Sequence, residues 1–209
     1  IQRDKPTLTF ITTPNNPTGS AVTIEEIEKI AKSTSGLLIV DEAYAEFSDE
    51  TSAATLIEKY PHIVVIRTMS KAFAFAGVRL GYLIADPAVV DAMFLVRLPY
   101  HLSALTQAAA EVALDFKGEL LGTVAQLRAD RDRVAAQLSE MGLTVIPSSS
   151  NFLLFTGFEM PSAQLWQAML DRGVLIRDVG LLGYLRVTIG NEAENTKFIS
   201  TLSLCLGEK

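Results

Sequence analysis

The chain alternates short apolar runs with longer amphipathic segments, and the apolar runs stop abruptly on polar residues. Phe10-Ile11, Leu37 to Val40 and Ile63 to Ile66 have the length and composition of buried strands. The stretches between them are long enough for crossover helices. Thr23-Ile-Glu-Glu26 reads as a capping box, and Ile24, Ile27, Ile30 and Ala31 mark one face of the helix it starts, with Gly36 as its stop. Residues 51 to 60 read as the next crossover helix, closed by Pro61. Arg79 to Ala85 is expected to add a strand to the same sheet. Asp86-Pro87 then starts a helix, and Ser103 caps an alanine-rich one running to about Phe116.

The second half has a different rhythm. Leu120, Val124, Leu127, Val134, Leu138 and Met141 recur at helical steps, which predicts a long amphipathic helix from Glu119 to Met141 that Gly142 ends. Arg131 is the exception on its apolar side, and the charge run Arg128 to Arg133 reads as a solvated face. Beyond it, strands over 143–146, 151–156, 174–177 and 184–189 alternate with helices near 162–172 and 191–206. The expected fold is therefore α/β: a mostly parallel sheet with helices over 1–118, a connecting helix over 119–142, and a small α+β domain over 143–209.

The polar residues at the strand ends are the candidate chemistry. They are Asn16 in Asn-Pro-Thr-Gly, Asp41 with Tyr44, and Thr68, Ser70 and Lys71. In an open α/β sheet the crevice beyond the carboxyl ends of the strands is where ligands bind. Lys71 follows a buried strand and has Phe73, Phe75 and Val78 for company. Desolvation there disfavours the ammonium, and a neutral lysine amine is the nucleophile that forms Schiff bases. A surface lysine after a strand is the bland alternative. The Thr68 and Ser70 hydroxyls with Arg79 suit an anion such as phosphate. Asp41 has a second reading as a helix cap, and Asn16 as a turn residue before proline.

Composition narrows the classes. With 209 residues, 49% hydrophobic and 20% charged, the chain has ample material for a core. A net charge of −6 argues against nucleic-acid binding. The single cysteine, Cys205, excludes an internal disulfide and offers no metal-ligand spacing; it falls on the apolar side of the terminal helix. No apolar stretch approaches the ~18 residues that span a membrane. The cytoplasm is the expected location.

Three co-linear motifs carry a resemblance: Asn16-Pro17-Thr18-Gly19, Asp41-x-Ala43-Tyr44, and Ser70-Lys71 with Gly77-x-Arg79-x-Gly81-Tyr82. In this order and spacing they resemble the fold type I pyridoxal-phosphate (PLP) aminotransferases. Leu98 to Ala109, Arg172 to Asp178 and Tyr184 to Asn195 are similar to the histidinol-phosphate branch of that family, and the likeness runs over essentially the whole chain. The resemblance implies PLP as cofactor, with Lys71 carrying it and moving the substrate proton. Asp41 would pair with the pyridine nitrogen, while Tyr44 and Asn16 would bond the phenolic oxygen. Arg79, Thr68 and Ser70 would hold the phosphate. Arg177, Arg186 and Asn151 would bind substrate. The implied partners are histidinol phosphate and 2-oxoglutarate, in a homodimer. Aromatic amino-acid aminotransferases, a phosphothreonine decarboxylase and a non-catalytic module of the same fold are the alternatives. Set against the family, the chain looks like the C-terminal part of a longer protein, inactive when alone. Thr13, where the family often has asparagine, bears only on local turn geometry.

Overall fold

The computed structural model describes Ile1 and residues 3 to 207. Packing divides the chain into two units: Ile1–Pro14 with Ala21–Thr123, and Asn15–Ser20 with Val124–Lys209.

In the first unit, β1 (Leu8–Thr12), β2 (Leu37–Asp41), β3 (Ile63–Thr68) and β4 (Gly81–Ala85) form one four-stranded sheet in that order. The first three strands are parallel, and β4 returns antiparallel to β3. Helix α1 (Ile24–Ser33) begins with the capping box: the Thr23 hydroxyl accepts the Glu26 N–H while the Glu26 carboxylate accepts the Thr23 N–H. Its buried Ile27 and Ala31 pack on Leu38, Val40, Ile63 and Val65, the inward set of β2 and β3. Each of the leucine, valine and isoleucine side chains among these contributes roughly 1.5–3 kcal/mol when fully buried.

Two expectations need correction here. Gly36 does not stop α1, which ends at Ser33 with Thr34 already extended. Gly36 is needed for another reason: a Cβ there would lie 2.1 Å from the Thr7 carbonyl oxygen, where β1 and β2 first meet. Residues 51 to 60 do not form a crossover helix. They make a single tight turn at Ala53–Leu56. The Glu42 carboxylate accepts the Ala53 N–H at 2.7 Å and the Ser52 hydroxyl at 2.8 Å, which ties the segment against β2 before a full helix can grow. Helices α2 (Pro87–Val96) and α3 (Ala104–Asp115) start as expected, with the Asp86 side chain accepting the Ala88 N–H and the Ser103 side chain the Thr106 N–H.

Helix α4 (Lys117–Glu140) runs from the first unit into the second. It is not merely a connector, because Val134 and Leu138 are fully buried in the core of the second unit. The charge run on it is a solvated face only in part: Asp132 and Arg133 are exposed and Arg128 is half-buried. Asp130 and Arg131 are buried, with Asp130 bonded to Arg133 and Gln126, and Arg131 bonded to Asp132 and the Ser150 carbonyl. Buried charges persist where their hydrogen-bonding groups are used.

The second unit holds an antiparallel sheet in the order β5 (Thr144–Val145), β6 (Phe152–Thr156), β8 (Leu185–Thr188), β7 (Arg177–Asp178). Helices α5 (Ser162–Asp171) and α6 (Glu192–Gly207) supply Leu165, Met169, Phe198 and Leu202 to the core shared with Leu153, Phe155 and Leu185. Cys205 is buried in that core. Asn191 and Glu194 exchange reciprocal side-chain-to-backbone bonds at the start of α6, a second capping box.

One ion pair had no signal in the periodicity. Because Asp41 stands beside Ile66 in the parallel register, the next residues, Glu42 and Arg67, meet. Arg67 places two nitrogens on one Glu42 oxygen, at 2.7 and 3.1 Å, and a third 3.4 Å from Glu46. The Glu42 side chain is 3% exposed and that of Arg67 20%. Burial pushes the Glu46 carboxyl above the usual carboxylate range, against the pull of the Arg67 guanidinium. Removing one member of a buried pair strands the other charge. Arg67→Ala is therefore expected to lower unfolding free energy by about 3 kcal/mol, measured by urea denaturation. A loss under about 1 kcal/mol would place the pair in the weak, solvent-screened class.

Candidate active site

The parallel register brings the first group of candidates to one edge of the sheet. Thr12, Asp41 and Ile66 stand side by side across β1, β2 and β3. The same face carries Phe10, Ile39 and Val64, opposite the face that α1 covers. Asp41 is the last residue of β2 and is half-buried. One of its carboxylate oxygens accepts the Ala43 N–H at 3.0 Å. That bond fixes the carboxylate at the start of the turn carrying the buried Tyr44.

The chain leaving β3 forms the second wall. The Thr68 hydroxyl donates to Ser70 Oγ at 2.9 Å and accepts the Ser70 N–H at 3.1 Å. The Leu80 carbonyl accepts the Met69 N–H at 3.1 Å. Arg79 is thereby held within one residue of those hydroxyls. Its guanidinium donates to the Ala76 carbonyl at 3.0 Å.

Lys71 differs from expectation. Its side chain is exposed, while Met69, Ala72 and Phe73 take the inward positions of the turn. The apolar neighbours bury themselves and leave the ammonium hydrated. It is still a located group: Lys71 Nζ lies 5.4 Å from the centre of the Tyr44 ring. A cation at that distance from an aromatic face contributes about 0.5–1 kcal/mol at an exposed site. Asp41, Tyr44, Thr68, Ser70 and Lys71 are thus gathered at the strand ends.

The backbone beside this group is strained. Ala74 and Arg79 have φ of 55° and 56°, in the left-handed region that residues with a Cβ rarely adopt. Such outliers persist where surrounding structure holds them, and they cluster at ligand-binding segments.

The remaining candidates lie in the second unit. Asn16 belongs there with its loop Asn15–Ser20, although it follows β1 in the chain. Arg186 Nη1 donates to Asn16 Oδ1, and the guanidinium lies 4.7 Å from the centre of the Phe152 ring. Arg177 stands opposite Arg186 in the β7–β8 register. Both arginines line an open cavity of about 350 Å³ with Trp166, Asp178 and Thr188. Asn151 precedes β6, and its carbonyl accepts the Ile189 N–H at 2.9 Å. Sequence reasoning missed Glu42 and the Ser148–Ser150 turn. The first was detectable as an acid directly after a buried strand; the second carried no pattern. Thr13 has a local task, its hydroxyl accepting the Val22 N–H at 2.8 Å. Among the described residues no helix is long and apolar enough to cross a membrane.

Comparison with known proteins follows the same outline. The family described as "Aminotransferase class I and II" matches residues 2–202. Histidinol-phosphate aminotransferase of Corynebacterium glutamicum (strain R) is 58% identical over 200 residues, which are 95% of this chain and 54% of that protein. The chain thus spans about half the length of the curated relatives it matches. The crystal structure of histidinol-phosphate aminotransferase from Clostridium acetobutylicum matches with a TM-score of 0.91 at 25% identity, covering 100% of this chain and 66% of that one. That of the Sinorhizobium meliloti enzyme, in complex with pyridoxal-5′-phosphate, matches with a TM-score of 0.86 at 27% identity, covering 98% and 58%.

The strained loop can be tested for stability. Ala74 is exposed and left-handed, so Ala74→Gly removes only a Cβ that opposes the conformation. The substitution is expected to stabilise by about 1 kcal/mol, read as a raised urea midpoint at unchanged m-value. A lowered midpoint would mean that this conformation is not held at Ala74 in solution.

Proposed function

The chain belongs to the aminotransferase class I and II family, and from that premise we propose that the whole protein transaminates histidinol phosphate with 2-oxoglutarate, using pyridoxal 5′-phosphate. The observation that carries this reading is the gathering of Asp41, Tyr44 and Lys71 at the carboxyl ends of adjacent parallel strands. The names of the curated relatives supply the substrate.

The residues fit such a cofactor chemically. A phosphate needs hydroxyls and a guanidinium, and Thr68, Ser70 and Arg79 are neighbours through the Leu80 carbonyl. A pyridinium nitrogen needs a carboxylate, and Asp41 offers one at a fixed strand end. A phenolate oxygen needs donors, and the Tyr44 hydroxyl is one, with Asn16 as the other in this proposal. An aldehyde needs an accessible amine, and Lys71 is exposed beside the Tyr44 ring. When bound, the cofactor supplies the electron sink for transamination.

The chain's own residues do the rest. Lys71 would hold the cofactor through its amine and, once the substrate's amine has taken its place there, the freed Lys71 amine would take up and return the substrate's Cα proton. Asp41 keeps the pyridine nitrogen protonated. Arg186 and Arg177, paired across two strands, present two guanidiniums to the substrate's anionic group, and Asn151 lies at the start of the adjoining strand β6. Two planar cations on rigid strands suit a dianion. A homodimer in the cytoplasm, and an inactive chain when these residues are expressed alone, complete the proposal.

Two measurements on the whole protein test it. Asp41→Ala is expected to lower kcat by at least about tenfold, a barrier change of ~1.4 kcal/mol; a smaller fall removes Asp41 from the chemistry. Arg177→Ala is expected to raise KM for histidinol phosphate by at least about tenfold, since a charge-assisted contact is worth roughly 1.5–3 kcal/mol, and to raise KM for 2-oxoglutarate much less. Equal effects on both, or faster turnover of phenylalanine than of histidinol phosphate, would favour an aromatic amino-acid aminotransferase.

A further inference from the structure

The loop that carries Asn16 packs with the second unit. Inside the loop, the Gly19 N–H donates to the Asn15 carbonyl at 2.7 Å and the Asn15 N–H to the Ser20 carbonyl at 2.8 Å. The Thr18 hydroxyl adds a 3.0 Å bond to the Asn15 side chain. These bonds make the loop a closed piece, so Asn16 goes where Gly19 docks.

The dock is the turn at Ser148–Ser150. The Ser149 N–H donates to the Gly19 carbonyl at 2.7 Å. Gly19 has φ of +79°, and a Cβ on it would meet Ser148 Oγ at 2.2 Å, so only glycine allows this approach. The turn is held on one side by Ser148, whose hydroxyl donates to the Phe152 carbonyl at 2.7 Å and accepts the Ser150 N–H at 3.1 Å. On the other side, Arg131 Nη1 donates to the Ser150 carbonyl at 3.2 Å.

Arg131 is the unexpected member. It is 8% exposed and interrupts the apolar side of α4, where a leucine or methionine would pack without desolvating a charge. Its other nitrogens lie on Asp132 at 2.9 Å. An arginine at such a position contributes geometry that an apolar side chain cannot. We infer that Arg131 is a positioning residue for the anion site: it fixes the Ser148–Ser150 turn, the turn fixes the Asn15–Ser20 loop, and Asn16 Oδ1 then orients the Arg186 guanidinium. The inference rests on the reading of Arg186 as an anion-binding group given above.

The test uses the whole protein loaded with pyridoxal phosphate, so that the cofactor's phosphate fills its own site. Inorganic phosphate is the probe, followed by titration calorimetry, with KM, kcat and Tm measured alongside. Arg131→Met is expected to weaken phosphate binding about tenfold and to raise KM for histidinol phosphate with it, and Arg131→Lys recovers part of both losses. Arg186→Ala is expected to weaken binding at least tenfold, and Arg131→Met added to it brings no further loss, because both act through one guanidinium. Unchanged phosphate affinity in folded Arg131→Met protein, or a loss that adds fully to that of Arg186→Ala, overturns the inference. Should Arg131→Met not fold, Gly19→Ala disturbs the same dock from the loop side, and unchanged affinity there overturns it equally. Unchanged affinity in Arg186→Ala alone instead overturns the reading of Arg186, and the role given to Arg131 falls with it.

Discussion

The parallel register of β1, β2 and β3 is the constraint on which the first unit depends. Parallel strands in one register send their following residues the same way: β1 and β2 end level at Thr12 and Asp41, beside Ile66, and β3 runs on two residues to Thr68. Whatever follows those residues is delivered to one edge of the sheet. Asp41 and Tyr44 leave β2 there, and Thr68, Ser70 and Lys71 leave β3. The same register sets Glu42 beside Arg67, a buried ion pair directly behind the polar edge. A one-residue slip would move Asp41 to the face covered by α1 and break that pair. The chemistry and the pair that braces it therefore share one cause.

In the second unit the organising contact is a bond between a loop and a strand. Arg186, on β8, reaches Asn16, which lies far away in sequence but packs in the same unit. Short antiparallel strands put Arg177 opposite Arg186, and both line one open cavity together with Asp178. A dianion there would meet two guanidiniums and one carboxylate, so the arginines must outweigh Asp178 for it to bind.

Much of this was legible in the chain. Apart from the strand expected over 174–177, which the structure reduces to Arg177–Asp178, the strands, the Thr23 capping box, the Asp86 and Ser103 caps and the α6 start followed from period and cap chemistry, because those signals are local. What failed was set by tertiary contact. Residues 51 to 60 have helical composition, yet Glu42 captures Ser52 and the Ala53 N–H. Lys71 has apolar neighbours in sequence, but which side of a turn faces inward is decided by packing, and Met69, Ala72 and Phe73 took it. Arg131 looked like part of a solvated charge run, since nothing local marks the Ser150 carbonyl as its acceptor. The motif residues from Asn16 to Arg79 stood out as polar groups at strand ends, but their individual roles came through resemblance; taken singly, a cap for Asp41, a turn for Asn16 and a surface position for Lys71 were open readings.

The central claim is that Lys71 is the amine that holds the cofactor. Borohydride treatment of the whole protein loaded with pyridoxal phosphate, followed by peptide mapping, tests it most directly. The account predicts that the reduced cofactor is found on the peptide containing Lys71 and that its absorption band shifts on reduction. Labelling of a different lysine, with the Lys71 peptide unmodified, would contradict it.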